Sequence, residues 1–162
     1  MTTNGHPFLY FSYGSNLDIE HLRSTCPSAR FIAPARLDAH RLAFTLESKN
    51  TWHGGVPDIL PTPGDTVWGA LYLIDAADSS ALDDAEGVSR TPPAYARYPV
   101  TVTTQAGDTI LCRSYHVVPP HLSGIAPSPA FKCTLLRGAR TSRLPDIYVA
   151  QLAAIADNGY AG

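Results

Sequence analysis

The sequence predicts an α+β domain built around a small curled sheet or barrel. Three observations point there. Short apolar or alternating runs recur through the first 118 residues, two helical segments gather after residue 128, and strands and helices mix without a strict βαβ rhythm. A doubly wound parallel sheet would need that rhythm. With 162 residues, one domain spanning 1–162 is expected, long enough to bury a core without staples.

The first element is "FLYFSY", residues 8–13, a nearly continuous apolar run with the length and aromatic content of a buried strand. "GSNLDIEHLR" then reads as a helix start. Ser15 or Asn16 can cap it, Asp18 and Glu20 sit in its first turn, and Leu17 with His21 or Leu22 gives one apolar side. "RFIAPARL" and "HRLAFTL" read as two strands with a tight connection around Asp38 and Ala39. Residues 47–65 are rich in Gly, Pro, Asn and Asp and are expected to be mostly loop, long enough to suggest a function.

"TVWGALYLI", residues 66–74, is a strand, and "DAADSSALDDAEG" a helix with Gly87 just past its end. In "YPVTVTTQAGDTILCRSYHVV" two β-branched runs flank the turn "QAGD", which predicts a hairpin. The last segment, from Ser128 onward, holds two helices. Ser128 caps the first with Pro129 at the opening helical position, and Pro145 restarts the chain for the second.

Composition excludes several classes. Hydrophobic residues make up 44% and charged residues 16%, a globular balance. Twelve basic against 14 acidic residues leave a net charge of −2, and no basic cluster interleaves with aromatics, so no nucleic-acid partner is expected. No apolar run approaches the ~18 residues of a membrane span, so no membrane partner is expected either. Cys26, Cys112 and Cys133 are widely spaced and form no C-x-x-C pair. The first ten residues lack a signal-peptide pattern. A cytoplasmic location with reduced thiols follows as the expectation. The six histidines show no H-x-x-x-H or H-E-x-x-H spacing, so no metal site is expected.

Two places can carry chemistry. Where the first strand ends, Gly14 lets backbone approach a ligand, and the helix start behind it offers free N–H groups to an anion. That feature is also compatible with a plain turn. In "LDDAEGV" Glu86 occupies the last turn of its helix, against the negative end of the dipole, with Asp83 three residues back. Both effects raise a carboxyl pKa, the direction a general base needs. A solvated acidic helix end is the alternative. Ser15 lies in Tyr13-Gly14-Ser15-Asn16-Leu17 and lacks the G-x-S-x-G elbow of a serine nucleophile. "TWHGG", residues 51–55, reads either as a loop laid over a pocket or as a turn with a packed Trp52.

Taken together, "FLYFSYGSNL", "PSARF", "ARL", "TWHGGV", "PGDTVWG", "LDDAEGV", "CRSY" and "PSP" resemble the γ-glutamylcyclotransferase family nearly end to end, in order and spacing. The resemblance implies an AIG2-like fold, a small mixed β-barrel with surrounding helices, and a homodimer. It implies intramolecular chemistry without metal or organic cofactor. The α-amine of a γ-glutamyl amino acid attacks its own γ-amide carbonyl, 5-oxoproline closes, and the second amino acid leaves.

By the same resemblance Glu86 is the catalytic acid/base. Tyr13, Gly14, Ser15, Asn16 and Leu17 hold the glutamyl end, and Tyr95 and Phe131 line the pocket. Two departures stand out. "SRTPPAY" carries two prolines where the family has a shorter interval, which leaves Tyr98 as a competitor of Tyr95, and Phe131 stands where a pocket tyrosine is usual. Three other readings remain. The substrate is a γ-glutamyl-amine or a γ-glutamyl-protected biosynthetic intermediate, or the pocket binds without turnover, or Ser15 directs hydrolysis to free glutamate. Glutathione metabolism is the setting the resemblance implies, while glutathione itself, with the same γ-glutamyl link but a bulkier leaving half, stays open as a substrate.

Overall fold

The computed structural model describes residues 5–162. In chain order it forms β1 (Phe8–Ser12), a 3-10 turn (Ser15–Leu17), α1 (Ile19–Arg23), β2 (Arg30–Ser48) and β3 (Gly54–Ile74). A second 3-10 turn (Ala76–Asp78) leads into α2 (Ser79–Ala85). Then follow β4 (Tyr95–Arg97), β5 (Val100–Thr104), β6 (Thr109–Cys112), β7 (Tyr115–Val117), α3 (Pro129–Thr141) and α4 (Asp146–Ala153).

Five strands form an antiparallel sheet in the order β1-β3-β2-β5-β6, and β4 pairs with β7 in a separate ladder. The sheet curls until its edges meet at one point. There Phe11 N–H donates to the Arg113 carbonyl at 2.8 Å and Arg113 N–H to the Leu9 carbonyl at 2.9 Å, in a parallel bridge. The α+β class and the small curled sheet are as expected, with pairing between the two edges limited to that bridge.

Alternation along the strands builds two cores. Tyr10, Ala70 and Tyr72 pack outward against helix residues such as Leu22, Leu135 and Leu152. Phe11, Leu71 and Val67 point into the curl with Leu37, Ile59 and Val102. Because β1 is covered on both faces, its apolar run is continuous rather than alternating.

Two expectations are corrected. β2 is one strand of 19 residues, not two. The anticipated turn is a bulge: Asp38 pairs Thr66 and His40 pairs Pro61, so residues 62–65 of β3 lie opposite Ala39 alone, which adopts φ 59°. The supposed loop 47–65 is mostly strand, since β3 already begins at Gly54. Its prolines mimic a loop signal, but this half of β3 pairs with β2 only, and such an edge tolerates residues without an N–H.

The hairpin of β5 and β6 forms as expected around residues 105–108. Its second run then breaks at Arg113, and Tyr115–Val117 crosses to pair with β4, a strand absent from the sequence reading. The C-terminal helices also form as read, with Ser128 Oγ accepting from Phe131 N–H at 3.2 Å.

Candidate active site

The chain after β1 is held by its flanks rather than by a long helix. Ser15–Leu17 is a single 3-10 turn, and α1 has five residues capped by Asp18 instead of Ser15 or Asn16. The Leu17 carbonyl accepts from Tyr72 Oη at 2.9 Å and Ser142 Oγ at 3.1 Å. Asp18 accepts from Arg137 Nε at 2.9 Å. Gly138 of α3 lies so close that a Cβ there would stand 2.3 Å from the Asp18 nitrogen. A Cβ at Gly14 would meet the Pro57 ring at 2.9 Å. Leu17 itself is buried in the core and does not line the cavity. Its part is to anchor the turn.

That turn borders a cavity of about 620 Å³. Tyr13, Gly14, Ser15, Asn16, Glu86, Tyr95 and Phe131 all line it, although they come from four separate parts of the chain. Among the described residues no protein backbone acceptor engages the Ser15 or Asn16 N–H. Both donors are therefore free of backbone pairing.

Glu86 follows α2 as its C-cap and meets the turn directly: Asn16 Nδ2 donates to Glu86 Oε1 at 3.2 Å and lies 3.1 Å from the Tyr10 hydroxyl. Glu86 keeps some accessible surface because it faces the cavity, yet protein encloses its carboxyl on the other sides. Burial is the main reason its pKa rises from 4.5 to about 7. The neighbouring Tyr10 hydroxyl offsets part of that rise, and the Asp83 charge adds to it. The expected rise is present, then, but its leading cause is desolvation, which the sequence did not display.

Asp83 is not a second base. Burial pushes it upward, but hydrogen bonds from Arg97 and Tyr115 and the charges of Arg97 and Arg113 hold it below the ordinary value. Its partners are close, with Arg97 Nη2 at 2.6 Å and Tyr115 Oη at 2.6 Å.

The tyrosines form a neutral wall. Tyr13 Oη donates to the Tyr115 carbonyl at 2.6 Å, and Tyr95 Oη to the Pro57 carbonyl at 2.6 Å. Burial pushes the Tyr10, Tyr13 and Tyr95 phenols well above 10, so they act as hydrogen-bonding groups and not as bases. Tyr98 lies elsewhere, stacked on His116 and 2.9 Å from His40 Nε2, which leaves Tyr95 as the cavity tyrosine. Tyr10 and Tyr115 are cavity residues the sequence reading missed. Tyr10 lay hidden inside a run read as plain core strand, and Tyr115 joins the site only through the β4–β7 ladder.

Comparison with known proteins fits this arrangement. The AIG2-like family model matches residues 66–152. The γ-glutamylcyclotransferase of Bos taurus is 40% identical over 162 residues, 98% of this chain and 84% of that protein. The Homo sapiens γ-glutamylcyclotransferase is 39% identical over 96% of this chain and 82% of its own length. The chain belongs to the γ-glutamylcyclotransferase family. A solved γ-glutamyl cyclotransferase structure superposes with a TM-score of 0.91 at 39% identity, covering 97% of this chain and 92% of the other.

Within this family fold, the far wall of the cavity is aromatic. Phe131 is buried and meets Trp52 edge-on at 5.0 Å and Phe44 at 6.2 Å. Trp52 is tilted against His21 at 5.4 Å, and burial lowers the His21 pKa, favouring its neutral form. The "TWHGG" segment therefore brings an aromatic to the cavity. Phe131 contributes packing where a tyrosine would have offered a hydroxyl.

Proposed function

We propose that this protein, a single domain over 1–162, is a γ-glutamylcyclotransferase acting on γ-glutamyl amino acids. One observation carries the reading: a carboxyl with its pKa near 7, Glu86, shares a cavity and a hydrogen bond with the Asn16 turn, whose Ser15 and Asn16 N–H groups have no backbone acceptor.

The Ser15 and Asn16 N–H groups receive the glutamyl α-carboxylate, a role suited to unpartnered backbone donors. Tyr13, Gly14 and Leu17 shape and anchor that turn, and Tyr95 and Phe131 wall the cavity. Glu86 accepts a proton from the α-ammonium, a group charged near neutral pH. At about 7 it is a far better proton acceptor than an ordinary carboxylate. The freed amine nitrogen bonds to the γ-carbonyl carbon, and the bond from that carbon to the leaving nitrogen breaks. Glu86 returns its proton to the departing amine. Two protons pass in all from the α-nitrogen to the leaving nitrogen, the second as the ring closes and Glu86 is free to accept again. The lactam nitrogen keeps one hydrogen and the amino acid departs as an ammonium; no water is consumed, and no cofactor is needed for the balance. Orientation supplies much of the acceleration, because nucleophile and carbonyl belong to one molecule held in one pose.

The reading extends to a homodimer in a reducing compartment. The three cysteines are free, which suits that compartment, and Leu111 and Ile147 offer exposed apolar side chains to a second copy. Incubation with γ-glutamyl-alanine and detection of 5-oxoproline tests the activity. Free glutamate as the product would replace cyclisation by hydrolysis.

A further inference from the structure

The proposed reaction accounts for one of the substrate's two carboxylates. The cations around the cavity bear on the other. Arg97 and Arg113 share Asp83 as their acidic partner, and Arg137 pairs with Asp18. Arg90 and Lys49 line the cavity itself, both exposed, and among the described residues neither has an acidic partner. Glu47 is the other carboxylate of the lining besides Glu86, and it is exposed on the Lys49 side of the chain.

Arg90 is the better placed of the two cations. Its N–H donates to the Gly87 carbonyl at 3.3 Å, closing the turn that directly follows Glu86. Gly87 adopts φ +76°, and its missing side chain leaves room for the Arg90 stem. A Cβ there would lie 3.2 Å from both Arg90 Cδ and Nε. The guanidinium is thus folded over the turn that carries the base.

We infer that Arg90, assisted by Lys49, binds the carboxylate of the leaving amino acid and so selects γ-glutamyl amino acids over γ-glutamyl amines. This rests on the cyclotransferase reading. The leaving nitrogen must come within hydrogen-bonding reach of Glu86 to take its proton. The carboxylate carbon of an amino acid lies about 2.5 Å from its own nitrogen. The second carboxylate therefore falls beside Glu86, where Arg90 is the cavity cation adjacent in the fold. A guanidinium takes a carboxylate through two parallel N–H donors, and a leaving amine without the carboxylate leaves that fork empty.

The test uses a matched pair, γ-glutamyl-alanine and γ-glutamyl-ethylamide, which differ only in the leaving group's carboxylate. Their leaving amines differ in basicity, so the readout is the change in the ratio of their kcat/KM values on mutation. Arg90→Gln is expected to cut that ratio at least tenfold, chiefly through a higher KM for γ-glutamyl-alanine. Arg90→Lys is expected to restore part of it. Lys49→Gln is expected to give a smaller drop that shrinks as salt is added. A ratio unchanged in Arg90→Gln, with both compounds still converted to 5-oxoproline, overturns the role of Arg90. Absence of 5-oxoproline from both compounds with the unmodified protein overturns the cyclotransferase reading instead.

Discussion

Replacing Glu86 by Gln tests the site through stability as well as activity. The carboxyl is raised from 4.5 to about 7 in the fold, chiefly by burial. Below pH 4.5 folded and unfolded chains are both protonated, and the raised pKa costs nothing. Between 4.5 and 7 the unfolded chain releases its proton while the folded one retains it, so stability falls as pH rises. Above 7 both are ionised and the full cost remains. A rise from 4.5 to about 7, at about 1.36 kcal/mol per pH unit, corresponds to about 3 kcal/mol. Gln has similar volume and no charge, so Glu86→Gln should gain stability relative to the parent by about 3 kcal/mol between pH 4 and pH 8. Urea denaturation of both proteins at intervals across that range measures the difference. Turnover of γ-glutamyl-alanine should fall by roughly 10²–10⁴, the usual worth of a general base. A stability difference that stays flat with pH would refute the claim that burial charges a penalty at Glu86, and undiminished turnover would refute its catalytic role.

Other outcomes follow from the same geometry. Asn16→Ala removes a donor from the ionised Glu86 and should move the acidic limb of kcat/KM upward by about half to one pH unit, read from a pH–rate profile. Asp83→Asn breaks the pairs with Arg97 and Arg113. Asp83 has a depressed folded pKa, so its stabilising share is present above about pH 4, its unfolded value, and is lost as pH falls through the folded one. The variant should accordingly be destabilised at pH 7 but approach the parent in strong acid, as thermal melts at both ends would record. Gly138→Ala forces a methyl against the backbone of Leu17 and Asp18 and should cost about 1–3 kcal/mol, with a lowered Tm and a raised KM as the turn shifts.

The failures of local reading have physical causes. Pro57, Pro61 and Pro63 look like loop residues in isolation, yet they lie in β3, where one side of the strand lacks a ladder partner. Asp38 and Ala39 look like a turn, and the backbone does turn to positive φ at Ala39, but as a bulge in a continuous strand. Tyr95 and Tyr98 cannot be separated by spacing. They separate by face: Tyr95 points to Pro57 at the cavity wall, and Tyr98 packs with His40 and His116.

By itself the sequence determined the α+β class, the helix that stops before Gly87, the Ser128 cap and the two chemical segments around Asn16 and Glu86. Those follow from short-range patterns of period, cap and turn. Only the tertiary structure decided that these segments meet, 70 positions apart, across one hydrogen bond. It also decided that Glu86 is desolvated while Asp83, on the same helix, is held ionised by Arg97 and Arg113. The reason is that a pKa is set by what surrounds a carboxyl in space. The curl of the sheet, which brings Arg113 and Tyr115 back beside β1 and Asp83, cannot be read from either strand alone.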